Sequence, residues 1–237
     1  MTPSRMDVFA AVPVKDLVNA KQRLIPLLDG AQRRALARTM LEDVLAALTA
    51  ALPGDVTVVT TDTEAMDVAA RFGARCLAER ANRGHTEAVA FAQADALARG
   101  ARRFLTIPGD VPCVTAAEIA AVCGNHAAGV TFVPSMSGFG TNGVLLAPPD
   151  AMPLKFGEPS FDNHLLAARQ RGLAAVVREL PGLGLDIDTP EDLALLLARG
   201  AGTRSATLVS TWRLPLPGAA GPRSADARGA VTHERPR

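Results

Sequence analysis

The sequence predicts a single α/β domain built on an open, mostly parallel sheet flanked by helices. Three observations lead there. Apolar runs of strand length alternate with segments of helical spacing as far as about Gly200. The runs are near-continuously apolar, as strands covered on both faces must be. Gly or Pro-Gly closes several of the helical segments.

Val8 to Val14 (VFAAVPV) is the first such strand. Residues 31–51 then place Leu36, Met40, Leu41, Val44, Leu45 and Leu48 on one helical face, and Pro53-Gly54 ends that helix. Val56 to Thr60 is the second strand, 63–72 a helix closed by Gly73, and Arg75 to Ala78 a short third strand. A helix over roughly 86–99 stops at Gly100. A strand from Arg103 to Ile107 and a helix from about Thr115 to Val122 follow. Two strands come next, Gly129 to Pro134 and Gly143 to Ala147. Ser160 opens a helix to about Arg171, and Ala174 to Leu180 is the last strand. Thr189-Pro190-Glu191 starts the final helix, with Thr as cap and Pro in the first turn. In such sheets ligands sit beyond the carboxyl ends of the strands, which selects loops 15–30, 80–86, 108–114, 137–142 and 186–189.

The chain has 237 residues, enough for one large domain with a real core. That domain is expected over residues 1–200. Residues 201–237 are rich in Gly, Ala, Pro, Ser and Arg and read as a disordered tail. Leu208 to Leu216, with Trp212, is the one apolar patch there that could dock. A net charge of +1 supplies no basic field, so no nucleic-acid partner is expected. Val8 to Val14 is too short to span a membrane and runs straight into Lys15 and Asp16, with no signal-peptide layout. Cys76, Cys113 and Cys123 form no CxxC pair and suggest neither zinc nor a disulfide framework. A cytoplasmic protein is the expectation.

Five stretches could carry chemistry. The first is Ile107-Pro108-Gly109-Asp110, which puts a carboxylate at the edge of a central strand, where it can hold a metal; a plain turn is the alternative. In the second, Asp186-Ile187-Asp188, two carboxylates at i and i+2 point to one side. Together with Asp110 they could converge on magnesium, which favours a few carboxylate oxygens plus substrate phosphates. The third is the loop after the first strand, which holds Lys15, Lys21 and Arg23. Only three of the 25 basic residues are Lys, and two of them lie here. Compact ammonium groups suit a triphosphate, and no Walker pattern accompanies them. Fourth, the turn Ser137 to Gly143 offers backbone N–H groups plus Thr141 and Asn142 to an anion. Last, Ser160, at a helix start, offers a phosphate site or a simple cap. His164 lies one turn further on. Anion sites and carboxylates along one strand edge are what nucleotidyl transfer needs, since that chemistry works by positioning and charge neutralisation.

These motifs in series resemble the guanylyltransferases of coenzyme F420 biosynthesis, the CofC/FbiD family. The resemblance runs from Val12-Pro13-Val14-Lys15 through Lys21 to Leu24, then Gly109 to Pro112, Phe156 to His164, and Asp186 to Leu193. It covers about residues 6–199. It implies a GT-A-like nucleotidyltransferase fold, GTP as donor and two magnesium ions. The acceptor it implies is 2-phospho-L-lactate, phosphoenolpyruvate or 3-phospho-D-glycerate. It also implies that Asp110, Asp186 and Asp188 hold metal and that Thr141, Gly157 and Ser160 hold the acceptor. Lys15, Lys21 and Arg23 would then stabilise the departing pyrophosphate.

Two departures stand out. Gly84-His85-Thr86-Glu87-Ala88 replaces the family's G-L-N-x-A, and Phe139 replaces the first Thr of its G-T-G-T turn. His85 and Thr86 suggest an acceptor with an extra hydroxyl, 3-phosphoglycerate. The same-class rival is a molybdopterin-type or sugar-phosphate nucleotidyltransferase, whose G-G-x-S-x-R loop is absent. The other rival is a non-catalytic nucleotide-binding regulator.

Overall fold

All six residues of β1 (Val8–Pro13) are buried, and alternate residues feed opposite faces of the sheet. Val8, Ala10 and Val12 enter one apolar cluster, Phe9 and Ala11 another. That period of two is the signature of a strand covered on both sides. In this computed structural model, residues 6–79, 81, 83–124 and 129–217 are described. No helix among them is long and apolar enough to cross a membrane.

β2 (Val56–Thr60) and β4 (Arg103–Thr106) flank β1 in parallel, and β3 (Arg75–Ala78) extends β2. β6 (Thr141–Ala147) lies antiparallel between β4 and β5 (Gly129–Pro134), and β7 (Ala175–Val177) adds to β5 in parallel. The sheet order is β3-β2-β1-β4-β6-β5-β7. One face carries α1 (Gly30–Ala51), α2 (Thr63–Arg71) and α4 (Ala116–Cys123); the other carries α3 (His85–Ala98) and α5 (Ser160–Gln170). Local chemistry sets the helix starts. Asp29 with Gln32, Thr115 with Glu118, and Thr189 with Asp192 each form a reciprocal capping box, the last opening α6 (Pro190–Arg199).

Several boundaries differ from the sequence expectation. β6 begins at Thr141 rather than Gly143, because Thr141 still pairs with Pro134 across a register shift. β7 stops at Val177 instead of Leu180; it is an exposed edge strand with a single neighbour. α3 begins at His85, after Gly84 with φ of 100°, rather than at about residue 86.

The expected boundary at Gly200 is corrected. Thr203 caps a further helix, α7 (Arg204–Thr211), which packs on α1 and α6. Its start is fixed by the buried Asp43 of α1, whose carboxylate accepts from Arg204 N, Ser205 N and Ser205 Oγ at 2.9, 2.9 and 2.7 Å. Ala206, Val209 and Leu216 join Leu36, Met40, Leu193 and Leu196 in a third apolar cluster, with Trp212 against it. The composition of 201–217 hides this, because the buried partner is 162 residues earlier. The rest of the expected tail, 218–237, lies outside the described residues.

Candidate functional site

Beyond the carboxyl ends of β1 and β4 lies a cavity of ≈ 530 Å³. Lys15, Lys21, His85, Gly109, Asp110 and Asp188 line it. Asp110 follows β4, and its carbonyl accepts from Ile187 N at 3.1 Å. That bond draws the late segment 186–188 alongside the β4 end. Ile187 is buried, so Asp186 and Asp188 face away from the core as an i, i+2 pair. Thr189 and Asp192 then pin the backbone: Asp192 Oδ2 accepts from Asp188 N at 3.0 Å and Thr189 N at 2.8 Å.

Lys21 closes the arrangement. Its Nζ donates to Asp110 Oδ2 at 2.7 Å and Asp188 Oδ1 at 2.8 Å, with the side chain 6% exposed. Burial alone would lower its pKa, but the two carboxylates outweigh burial and hold the ammonium above its ordinary value. Burial likewise pushes Asp110 up, and Lys21 overrides it, leaving that carboxyl below the usual range. Lys21 adopts left-handed backbone geometry, φ 57° and ψ 44°, which is uncommon for a side chain of this size. Strain of this kind clusters at functional sites. The expectation that Lys21 faces a triphosphate therefore changes: it faces the aspartates. Arg23 is exposed, 3.7 Å from Asp188 Oδ2, and Lys15 is exposed at the cavity wall.

Asp186 is held differently. Asn142 Nδ2 donates to its Oδ1 at 3.0 Å and also to the carbonyls of Leu183 and Gly184. Burial raises the Asp186 pKa, opposed by the Asn142 bond and reinforced by the charges of Asp110 and Asp188. Asn142, expected to serve an anion from a turn, is thus a strand residue that orients a carboxylate. Among the described residues no three acidic, His or Cys side chains stand ready-made around one point. Lys21 occupies the position between Asp110 and Asp188. The donors are of the kind a hard cation takes: Asp110 and Asp188 meet at Lys21, and Asp186 lies near enough for their charges to raise its pKa.

Thr141 precedes Asn142 on β6 and points to the opposite face, toward the start of α5. Ser160 Oγ donates to Thr141 Oγ1 at 3.1 Å, and His164 Nδ1 lies 3.0 Å from the same oxygen. Gly157, with φ of 117°, takes a turn a side chain would strain, and open space faces it. The structure therefore joins Thr141 and Ser160 directly and keeps Gly157 in the adjoining loop.

His85 and His164 were legible only as positions. His85 packs edge-on to Phe156 at 4.4 Å; burial lowers its pKa to about 4, with Asp110 opposing and Lys15 adding. Thr86 uses its hydroxyl on Phe156, accepting from N at 3.0 Å and donating to O at 3.4 Å. It has no proton left for a ligand. For His164 the signal was its spacing of one turn from Ser160, which puts both on one face of α5.

Burial lowers the His164 pKa from 6.5 to about 4. Between those values the unfolded chain binds a proton that the fold excludes, so His164 weakens the fold as pH falls through that window. The wild-type melting temperature should drop more steeply from about pH 7 to about pH 5 than that of His164→Phe. Parallel pH profiles would show that this ring protonates freely in the fold.

The family described as "Guanylyl transferase CofC like" matches residues 8–225. A phosphoenolpyruvate guanylyltransferase of Conexibacter woesei is 40% identical over 81% of this chain and 87% of its own. A 2-phospho-L-lactate guanylyltransferase of Methanothermobacter thermautotrophicus is 33% identical over 84% and 88%. Among solved structures, a nucleotidyl transferase from the same archaeal species superposes with a TM-score of 0.60 at 15% identity, over 82% of this chain and 97% of that one. This last likeness concerns the fold.

Proposed function

The chain belongs to the family of CofC-like guanylyl transferases, and from that premise we propose that it joins GTP to phosphoenolpyruvate in coenzyme F420 biosynthesis. It is a nucleotidyltransferase enzyme. An oxygen of the acceptor's phosphate attacks the α-phosphorus of GTP. The new P–O–P bond forms as the bond to the β-phosphate bridge breaks, and pyrophosphate leaves. The observation that carries this proposal is the convergence of Asp110 and Asp188 on Lys21 at the wall of the cavity. It supplies fixed charges of both signs where a polyphosphate must be aligned.

Lys15, exposed at the cavity wall, and Arg23, exposed beside Asp188, are the cations that meet the β- and γ-phosphates. Lys21 keeps the carboxylates in place. Magnesium, as two ions, belongs to this proposal: Asp110, Asp186 and Asp188 would hold it, and it would neutralise the reacting phosphates. Thr141, Gly157 and Ser160 take the acceptor.

Phosphoenolpyruvate replaces 3-phosphoglycerate as the favoured acid for two reasons. Of His85 and Thr86, which motivated the preference for an extra hydroxyl, Thr86 is engaged by the Phe156 backbone and His85 packs edge-on to the Phe156 ring. The more similar of the two enzymes above is named for phosphoenolpyruvate. With GTP, Mg²⁺ and the three acids at equal concentration, mass analysis should find the phosphoenolpyruvate adduct dominant. A dominant phosphoglycerate or phospholactate adduct would overturn the acceptor. Absence of pyrophosphate with every acid would overturn guanylyl transfer itself.

A further inference from the structure

The buried cluster where β6 meets α5 contains one bond whose direction is not negotiable. Lys155 N–H donates to His164 Nε2 at 3.1 Å. A backbone amide can only donate, so Nε2 carries no proton and the neutral ring must carry it on Nδ1. That proton points at Thr141 Oγ1, 3.0 Å away. Ser160 Oγ donates to the same oxygen at 3.1 Å.

A threonine hydroxyl has two lone pairs and one proton. Both lone pairs of Thr141 are occupied, so its own proton must go elsewhere. Exchanging the direction of the Ser160–Thr141 bond only moves the surplus proton to Ser160. Either way the pair holds one donor for which no protein acceptor stands among the described residues. Thr141 is 7% exposed and Ser160 3%, so bulk water does not readily take that donor.

We propose that His164 is a positioning residue: by donating from Nδ1 it fixes the polarity of the Thr141–Ser160 hydroxyl pair, so that one hydroxyl proton faces the acceptor's anionic group. The ring is clamped for the task. Phe132 stacks on it at 5.7 Å and 7°, and Phe156 meets it edge-on at 5.1 Å. A protonated or flipped ring would lose the Lys155 bond. The backbone of Lys155 therefore sets a chain that ends at a ligand: Lys155 N–H to His164, His164 to Thr141, Thr141 to an anionic oxygen.

The proposal rests on placing the acceptor at Thr141, Gly157 and Ser160, and a mutant cycle separates the two ideas. Steady-state constants for each substrate are measured for wild type, Thr141→Val, His164→Phe and the double variant. Each single change should raise the acceptor KM roughly tenfold, the scale of one lost hydrogen bond, and leave the GTP KM unchanged. In the Thr141→Val background His164→Phe should add nothing, because the hydroxyl it orients is gone. Effects that multiply would overturn the positioning role while leaving the acceptor site intact. An unchanged acceptor KM in Thr141→Val would instead sink the acceptor site. Thr141→Ser should restore near-wild-type KM. If His164→Phe fails to fold, His164→Gln takes its place in the cycle, with the same criterion.

Discussion

Asp110→Asn is expected to abolish most turnover, by ~10²-fold or more, the scale of removing a main electrostatic stabiliser from an active site. The substitution preserves shape and hydrogen-bonding reach and deletes one charge. It leaves Lys21 Nζ, 6% exposed, with Asp188 as its one remaining full partner at 2.8 Å. It also halves the pair of carboxylates facing the cavity from β4 and the 186–188 segment. Asp188→Asn should behave alike, because the two oxygens sit almost equally far from the ammonium. Pyrophosphate release under saturating substrates, read beside a thermal melt, is the measurement. The melt should stay cooperative, since neither carboxylate belongs to an apolar cluster. Wild-type-like turnover in either variant would remove the aspartates from the chemistry.

Truncation after Gly200 should cost the fold itself. Removing α7 strips the buried Asp43 carboxylate of the two backbone N–H groups and the Ser205 hydroxyl that satisfy it. Hydrogen bonds to a charged group contribute a net ~1.5–3 kcal/mol each, and three are lost. Val209 and Ala206 also leave Leu36, Met40, Leu193 and Leu196 uncovered. Against a total stability of about 5–15 kcal/mol, this is a large fraction. At roughly 2–4 °C per kcal/mol for a chain of this size, the melting temperature should fall by about 10 °C or more, with exposed apolar surface promoting aggregation. An unchanged melting temperature would mean that the segment contributes nothing to the body.

The central strands were readable because their signal is local. Val8 to Pro13 is apolar at every position that both faces of the sheet demand, and the Thr189–Asp192 cap is written within four residues. Asp110 was readable because strand ends have a known relation to ligands, and Asp186 with Asp188 because their i, i+2 spacing turns both to one side. The misread residues all depend on distant partners. Lys21 lies in a cation-rich loop, and its meeting with Asp110 and Asp188 spans 89 and 167 residues. Asn142 resembles a turn donor until Asp186, 44 residues on, is laid beside it. α7 has the composition of a tail until Asp43 is placed beneath it. In each case the local pattern was compatible with two outcomes, and a long-range electrostatic partner chose between them.

The pairing of Lys21 with Asp188 across 167 residues also bears on synthesis. Domains emerge and fold from the N-terminus. On a ribosome, β1, Lys21 and Asp110 are available long before segment 186–188, and α7 follows it. A nascent chain thus carries a half-built charge cluster with an ammonium short of a counterion. Emergence of segment 186–188, rather than formation of the central strands, is the moment at which this enzyme can first acquire its working site.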